Sequence, residues 1–240
     1  MLLREIQWQE AKEALKDSVV VVPVGSTEQH GPQNPLGTDH MIAERLAKEL
    51  DTVVLPTVPI GLSKHHRFFS GTLWVSYESF KNYLMDICRA LLYHGVKKVL
   101  FVNGHGGNTA CLKDLALEMR DEGLYVAIFE WWRALPQETA KKVYPTDTKE
   151  HLGHAGSAET SMNLALYPEL VRMDRAEDVD TEWAPKKFGG VVVYETHEFT
   201  ECGVVGISTD ASAEKGKILF DTSVKELKKL IEYIKGMNYE

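Results

Sequence analysis

Hydrophobic runs and helical periods alternate along the chain. Residues 18–24 (SVVVVPV) form a mostly β-branched run ending at Gly25-Ser26, which predicts a central strand buried on both faces. Residues 53–58, 96–102 (VKKVLFV) and 125–129 repeat the strand signal. Between them, Met41, Ile42, Leu46, Ala47 and Leu50 recur on a helical period, with Thr38 or Asp39 placed to cap its start. Residues 77–93 and 109–120 predict two more helices, residues 159–166 a short one and residues 212–235 a long closing one. Between Pro168 and Asp210 the pattern weakens, and its glycines suggest a hairpin and loops. Strands alternating with helices predict an α/β protein with a mostly parallel sheet, whose ligands bind at the carboxyl ends of the strands.

Composition narrows the class. A chain of 240 residues, 44% hydrophobic and 26% charged, suits one large α/β domain spanning residues 1–240. A formal net charge of -8 argues against a sequence-independent grip on nucleic acid. The first fifteen residues mix Arg4, Glu5, Glu10, Lys12 and Glu13 with apolar residues, unlike a secretory leader, and no stretch approaches a membrane span, so the expected location is cytoplasmic. Cys88, Cys111 and Cys202 are far apart and odd in number, which suits reduced thiols.

Four Gly-flanked segments carry candidate chemistry. In Gly25-Ser26-Thr27-Glu28-Gln29-His30-Gly31-Pro32, an extended backbone puts Glu28 and His30 on one face, their Cα atoms roughly 6.5 Å apart. That spacing lets each meet a different ion of a pair about 3.5–4 Å apart, though a plain polar loop fits the same residues. Asp39, in Gly37-Thr38-Asp39-His40, suits either a helix start or a carboxylate bridging two metals, one oxygen to each. His105, in Asn103-Gly104-His105-Gly106-Gly107-Asn108, follows a strand and opens a helix. The turn resembles a phosphate cradle, but it lacks G-x-G-x-x-G and G-K-[ST], and glycines on both sides free the imidazole to serve as a ligand. His154-Ala155-Gly156-Ser157-Ala158-Glu159 supplies His154, a candidate proton shuttle, and Glu159, either a helix-dipole partner or a further ligand. Two histidines and three carboxylates suit a pair of divalent cations that ionise a water.

These motifs, with Gly61-Leu62-Ser63-Lys64-His65-His66-Arg67-Phe68-Phe69-Ser70-Gly71-Thr72, resemble the creatininase (creatinine amidohydrolase) family over more than half of the chain. The resemblance implies a three-layer α/β fold with a central, mostly parallel sheet flanked by helices, two divalent metal ions (Zn, with Mn or Fe as alternatives), and a homohexamer. It places Glu28 and His105 on one metal, His30 on the other and Asp39 between them. Creatininase proper has a glutamate ligand where this chain has Gly107, and Glu159 is the expected replacement. His66, Trp131, Trp132, Gly106, Gly107 and Asn108 are expected around a small-molecule amide substrate, with His154 and Glu159 catalytic.

The expected reaction is hydrolysis of a C–N bond in an amide, formamide or cyclic amide by ionised water. Relatives with the H-G-G-N turn include an archaeal formamidopyrimidine-ribonucleotide deformylase of riboflavin and deazaflavin synthesis and a peptidase of mycofactocin maturation. A deformylase would want a cation at its mouth, for which Lys64 and Arg67 are the nearest candidates. A non-catalytic, metal-bound scaffold is the remaining alternative.

Overall fold

The computed structural model describes residues 1–146, 148–180, 186–187 and 189–237. Three strands form its parallel sheet, β1 (Val19–Val24), β2 (Lys98–Asn103) and β3 (Tyr125–Glu130), in that order. The register pairs Val24 with Asn103 and Asn103 with Glu130, so all three carboxyl ends lie level along one edge.

Alternation along each strand divides its side chains between two apolar layers. Val20, Val22, Val24, Val99, Phe101 and Val126 face α3 (Tyr77–Tyr93) and α4 (Thr109–Asp121), with α1 (Trp8–Leu15) alongside through Leu15. Val19, Val21, Leu100, Val102 and Phe129 face α2 (Thr38–Lys48), α8 (Ser157–Leu166) and the long α9 (Ala213–Gly236). The short helices α5 (Trp131–Ala134), α6 (Gln137–Val143) and α7 (Thr148–His151) connect β3 to α8. Both faces of the sheet are thus covered, as the uninterrupted valine run of β1 requires.

Local chemistry sets the helix limits. Ser76 accepts from the Ser79 amide at the start of α3, whose buried Phe80, Leu84, Cys88 and Leu91 recur every three or four residues. The helix then ends against Gly95 in the left-handed region. Ser212 caps α9 in the same way, through the Lys215 amide.

The fourth predicted strand takes a different form. Residues 53–58 run beside β1, exchanging Val21 N–H to Val53 O, Leu55 N–H to Val21 O and Val58 N–H to Pro23 O, but only as isolated bridges. On β1 the next donor toward this segment after Val21 would be residue 23, which is Pro23 and has no N–H, and its carbonyl is met by Val58 rather than Thr57. The expected hairpin is reduced to β4 (Lys186–Lys187) and β5 (Gly190–Val191), paired antiparallel. No helix among the described residues is long and apolar enough to cross a membrane.

Helices α8 and α9 approach closely at Gly216, where an added Cβ would be driven into the Ser161 carbonyl oxygen and Ala165. Alanine favours a helix by about 1 kcal/mol over glycine, whereas overpacking costs about 1–3 kcal/mol and backbone yields poorly. Gly216→Ala is therefore expected to lower stability, seen as a reduced urea midpoint at unchanged slope. A raised midpoint would show that the helices can separate freely.

Candidate metal centre

The first turn of α2 lies directly on the carboxyl edge of the sheet. A Cβ on Gly25, just past β1, would strike the backbone of His40, and one on Gly104, just past β2, would strike the carbonyl of Asp39. Two glycines thus admit the helix start, and Asp39 in that first turn is brought over the strand ends. Its carboxylate caps nothing in α2, whose N-cap is Gly37. It points instead at two histidines.

Nε2 of His30 lies 2.9 Å from Asp39 Oδ1 and 3.7 Å from Glu159 Oε2. Nδ1 of His105 lies 3.1 Å from Asp39 Oδ2 and 3.2 Å from Glu28 Oε2. Three groups of ligand atoms converge, Glu28–Asp39–His105, His30–His154–Glu159 and Glu28–His66–His154, and Asp39 Oδ1 links the first to His30 of the second. His154 belongs to the last two, and its Nδ1 is 3.8 Å from Glu28 Oε1. Glu28, His30, Asp39 and His105 are buried, and Glu159 nearly so. Both Glu28 oxygens, Asp39 Oδ2 and His30 Nε2 lack an aligned hydrogen-bond partner despite these short separations. Buried polar atoms normally find partners. Atoms that crowd together without aligning are directed at shared points between them, and mixed carboxylate and imidazole donors suit Zn, Mn or Fe there. The buried clusters fit a dinuclear site.

The outer ring nitrogens fix how each imidazole is presented. His30 Nδ1 is 3.2 Å from the Glu28 carbonyl, to which it donates, leaving the Nε2 lone pair inward. His105 does the reverse: Nε2 donates to the Leu62 carbonyl at 3.3 Å and Nδ1 faces the carboxylates. An added Cβ on Gly107 would collide with that Nε2 edge and with the Leu62 carbonyl, so the ring occupies the space beside Gly107. Glu159 Oε2 accepts from the Ala155 amide at 2.7 Å, an N–H turned inward by the left-handed backbone of Ala155 (φ 55°).

Charge reinforces the geometry. Burial alone would lower the proton affinity of His30, but the adjoining Asp39 carboxylate raises its pKa to about 10. Burial likewise opposes protonation of His105, and Glu28 and Asp39 raise it well above the usual range. Burial works against ionised Asp39, yet His30 and His105 hold its pKa below the ordinary carboxylate value. In Glu159 burial prevails and lifts the carboxyl to about 7. The same field that draws protons to these imidazoles would draw cations to them.

Around this core, Gln29 organises two further histidines. Its amide lies 2.8 Å from His66 Nδ1, 2.8 Å from His154 Nε2 and 3.1 Å from the Gly203 carbonyl. The two N–H groups of that amide serve His66 and Gly203, while His154 Nε2 donates to the Gln29 backbone carbonyl at 2.8 Å, so Nδ1 faces the cluster. Burial, then neighbouring His30, holds His154 neutral well below its usual pKa. His66 presents Nε2 to Glu28 Oε1 at 3.2 Å and meets Thr196 Oγ1 at 3.0 Å through Nδ1.

The remaining expected residues divide. His66, His154 and Gly107 lie at the cluster. Asn108 is occupied in holding loops together: Oδ1 accepts from the Leu62 amide, Nδ2 donates to the Gly25 carbonyl, and its own N–H goes to the His105 carbonyl. Gly106 is exposed, with open space around its Cα. Trp131 is 2% exposed and packs in the layer beneath α2, α8 and α9, edge-on to Trp132. The structure thus places the tryptophans against the core. Gln29 and the buried Glu130, which contacts Asn103 and Thr109, belong to the surroundings of the site but were not singled out in the sequence. The level ends of β2 and β3 are the signal that could have found Glu130.

Fold and site together define an α/β protein with buried candidate metal-binding groups at the carboxyl edge of a parallel sheet. The chain belongs to the creatininase (creatinine amidohydrolase) family, whose profile matches residues 4–231. It is 32% identical over 217 residues to the mycofactocin precursor peptide peptidase of Mycolicibacterium smegmatis, covering 84% of this chain and 79% of that protein. It is 29% identical to the creatinine amidohydrolase of Pseudomonas putida, covering 92% of each. The manganese structure of creatininase superposes with a TM-score of 0.84 at 26% identity, over 97% of this chain and 98% of that one. A Zn-Zn creatininase variant gives 0.82 at 25% identity, over the same shares. A more distant likeness, 24% over 225 residues, covers 90% of this chain and 82% of the 2-amino-5-formylamino-6-ribosylaminopyrimidin-4(3H)-one 5'-monophosphate deformylase of Methanococcus maripaludis.

The titration of His30 makes the metal-free protein pH-sensitive. Its folded pKa lies above the unfolded value, so the stability it contributes is full below about pH 6.5 and is lost as pH rises toward about 10. Asp39, shifted down, contributes above its ordinary carboxylate value and loses that contribution on acidification. In excess chelator, the melting temperature is expected to fall between pH 7 and pH 10, and His30→Asn to flatten that fall. An unchanged slope in the variant would count against the ion-pair account.

Proposed function

We propose that this chain is a metal-dependent amidohydrolase, cleaving the C–N bond of a small amide, formamide or cyclic amide. The observation that carries the reading is the position of Asp39 between two histidines, one oxygen toward His30 and the other toward His105. Glu28 and His105 would hold one ion, His30 and Glu159 the other, and Asp39 both. Glu159 takes the place of the carboxylate absent at Gly107. Bound there, two divalent ions, zinc or manganese as in the creatininase structures, with iron a further option, would polarise a carbonyl oxygen and lower the pKa of a water.

The chain's own residues supply the rest. His154, held neutral and tied through Nε2 to the Gln29 carbonyl, offers Nδ1 toward the cluster. A proton carried there can be passed to the departing nitrogen, which must leave as an amine because an amide anion is a very poor leaving group. Glu159 lies beside His154, and burial raises its carboxyl to about 7 in the metal-free protein, so a bound cation would favour its ionised form. His66 meets Glu28 Oε1 at 3.2 Å beside His154, and Gln29 holds both rings, donating to His66 Nδ1 and accepting from His154 Nε2 at its carbonyl.

Support for C–N cleavage comes from the relatives: an amidohydrolase, a peptidase and a deformylase all break a bond between carbonyl carbon and nitrogen. A phosphorylated deformylase substrate finds less support, since Arg67, one of the cations nearest in sequence, is paired with Glu195 at 2.8 Å. A non-catalytic scaffold does not account for a neutral imidazole at His154 facing the ligand sets, because structural metal sites are usually closed by four ligands.

Metal analysis combined with a formamide, cyclic amide and peptide amide panel, read as formate or amine release, tests the proposal. His105→Ala is expected to lose bound metal and at least several hundred-fold in turnover. His40→Ala should lose far less, because His40 bonds only the Ser26 carbonyl beside the cluster. Equal turnover in His105→Ala and the native protein would end the proposal.

A further inference from the structure

The main chain of His105 is clamped by one side chain. Asn103 Nδ2 donates to the His105 carbonyl at 2.8 Å and Asn103 Oδ1 accepts the His105 amide at 3.1 Å. What orients Asn103 is Glu130, its register partner on β3: Oε1 accepts from Asn103 Nδ2 at 3.0 Å and also from the Thr109 hydroxyl at the start of α4. Glu130 therefore grips the His105 turn from both sides, through Asn103 before it and Thr109 after it. Its other oxygen meets Arg133 Nε at 2.7 Å, and the residue is only 8% exposed. A carboxylate acceptor strengthens both hydrogen bonds relative to a neutral one.

The other ligand set has its own framework. Asn163, one helical turn beyond Glu159, donates to Thr38 Oγ1 at 2.9 Å and Asn34 Oδ1 at 3.1 Å. Asn34 in turn donates to Thr160 Oγ1 at 2.8 Å, and Gln33 to the Ala155 carbonyl at 2.8 Å. This network ties α8 to α2 and to the segment after His30. None of these hydrogen bonds involves Glu130, Asn103 or Thr109.

We propose that Glu130 is a positioning residue for the metal position formed by Glu28, Asp39 and His105, acting through Asn103 and Thr109. We further propose that Asn163 supports the second position through hydrogen bonds that do not run through Glu130. The inference rests on the metal-site reading above. Glu130 touches no ligand atom itself. It restricts the main-chain freedom of His105, so that Nδ1 stays at 3.2 Å and 3.1 Å from the two carboxylates. Loss of such outer support typically costs 10–100-fold in metal affinity.

The test uses metal-stripped full-length protein titrated with Zn²⁺ against a competing chelator, with the melting temperature of each metal-free variant recorded alongside. Glu130→Ala is expected to weaken one of two binding events by about 10–100-fold, the event that His105→Ala removes. Glu130→Gln should weaken the same event less than Glu130→Ala, because its amide oxygen can still accept both hydrogen bonds, without the charge. Asn163→Ala should weaken the other event, the one lost in Glu159→Gln. Adding Glu130→Ala to His105→Ala should cost nothing more in affinity, whereas adding it to Glu159→Gln should impair both events.

A lower melting temperature with unchanged affinity in Glu130→Ala would reduce the residue to a fold support and overturn the inference. So would weakening of the same event by Glu130→Ala and Asn163→Ala. If Glu130→Ala does not fold, Thr109→Val decides: it removes one of the two hydrogen bonds, and an unaltered first event there overturns the inference equally. Two intact events in His105→Ala would instead defeat the metal-site reading itself.

Discussion

Glu28 and Asp39 place two carboxylates where water does not reach, and the partners at ion-pair distance among the described residues are imidazoles. Removing an ionised carboxylate from water costs several kcal/mol even after relaxation. Such a concentration of negative charge persists only if positive charge is supplied, by protons on His30 and His105 or by cations. The surrounding architecture serves that requirement. Gly25 and Gly104 let α2 settle onto the strand ends, and Asn103 and Asn163 lock the elements that carry His105 and Glu159. The Leu62 and Glu28 carbonyls turn each ring so that a lone pair faces inward. Stability and chemistry are coupled here: the buried carboxylates need the charge of His30 and His105 in the metal-free fold, and the same carboxylates would attract cations.

Much of this was legible in the sequence because the informative signals are local. The valine run of β1 needs no partner to read as a doubly buried strand, and the period of α3 marks its limits without reference to the rest. The turns after β1 and β2 stood out because glycines bracket the histidine in each, and the carboxyl edge of a parallel sheet is where such turns meet. The segment at 53–58 read as a strand on its apolar content, and Pro23 opposite it on β1 decided otherwise by leaving the ladder without its next donor.

Other features were hidden because they depend on register or on rotation. Glu130 is an unremarkable final strand residue until β3 is laid beside β2 and Asn103 falls opposite it. Trp131 and Trp132 follow the same strand and were expected around the substrate. The helical turn of α5 swings Trp131 into the layer formed with α2, α8 and α9 instead. Gln29 lay between two conspicuous residues, Glu28 and His30, and its part in aligning His66 and His154 appears only when segments far apart in the chain converge.

The opposed tautomers of the two histidines have a chemical corollary. Because His30 presents its far nitrogen and His105 its near one, the two arms differ in length, measured from main chain to donor atom. Glutamine reproduces the reach of the first, and asparagine that of the second. Amide replacements at these positions are thus not interchangeable, and a redesign that treats the pair as symmetric would set one donor about a bond length away from where the cation needs it.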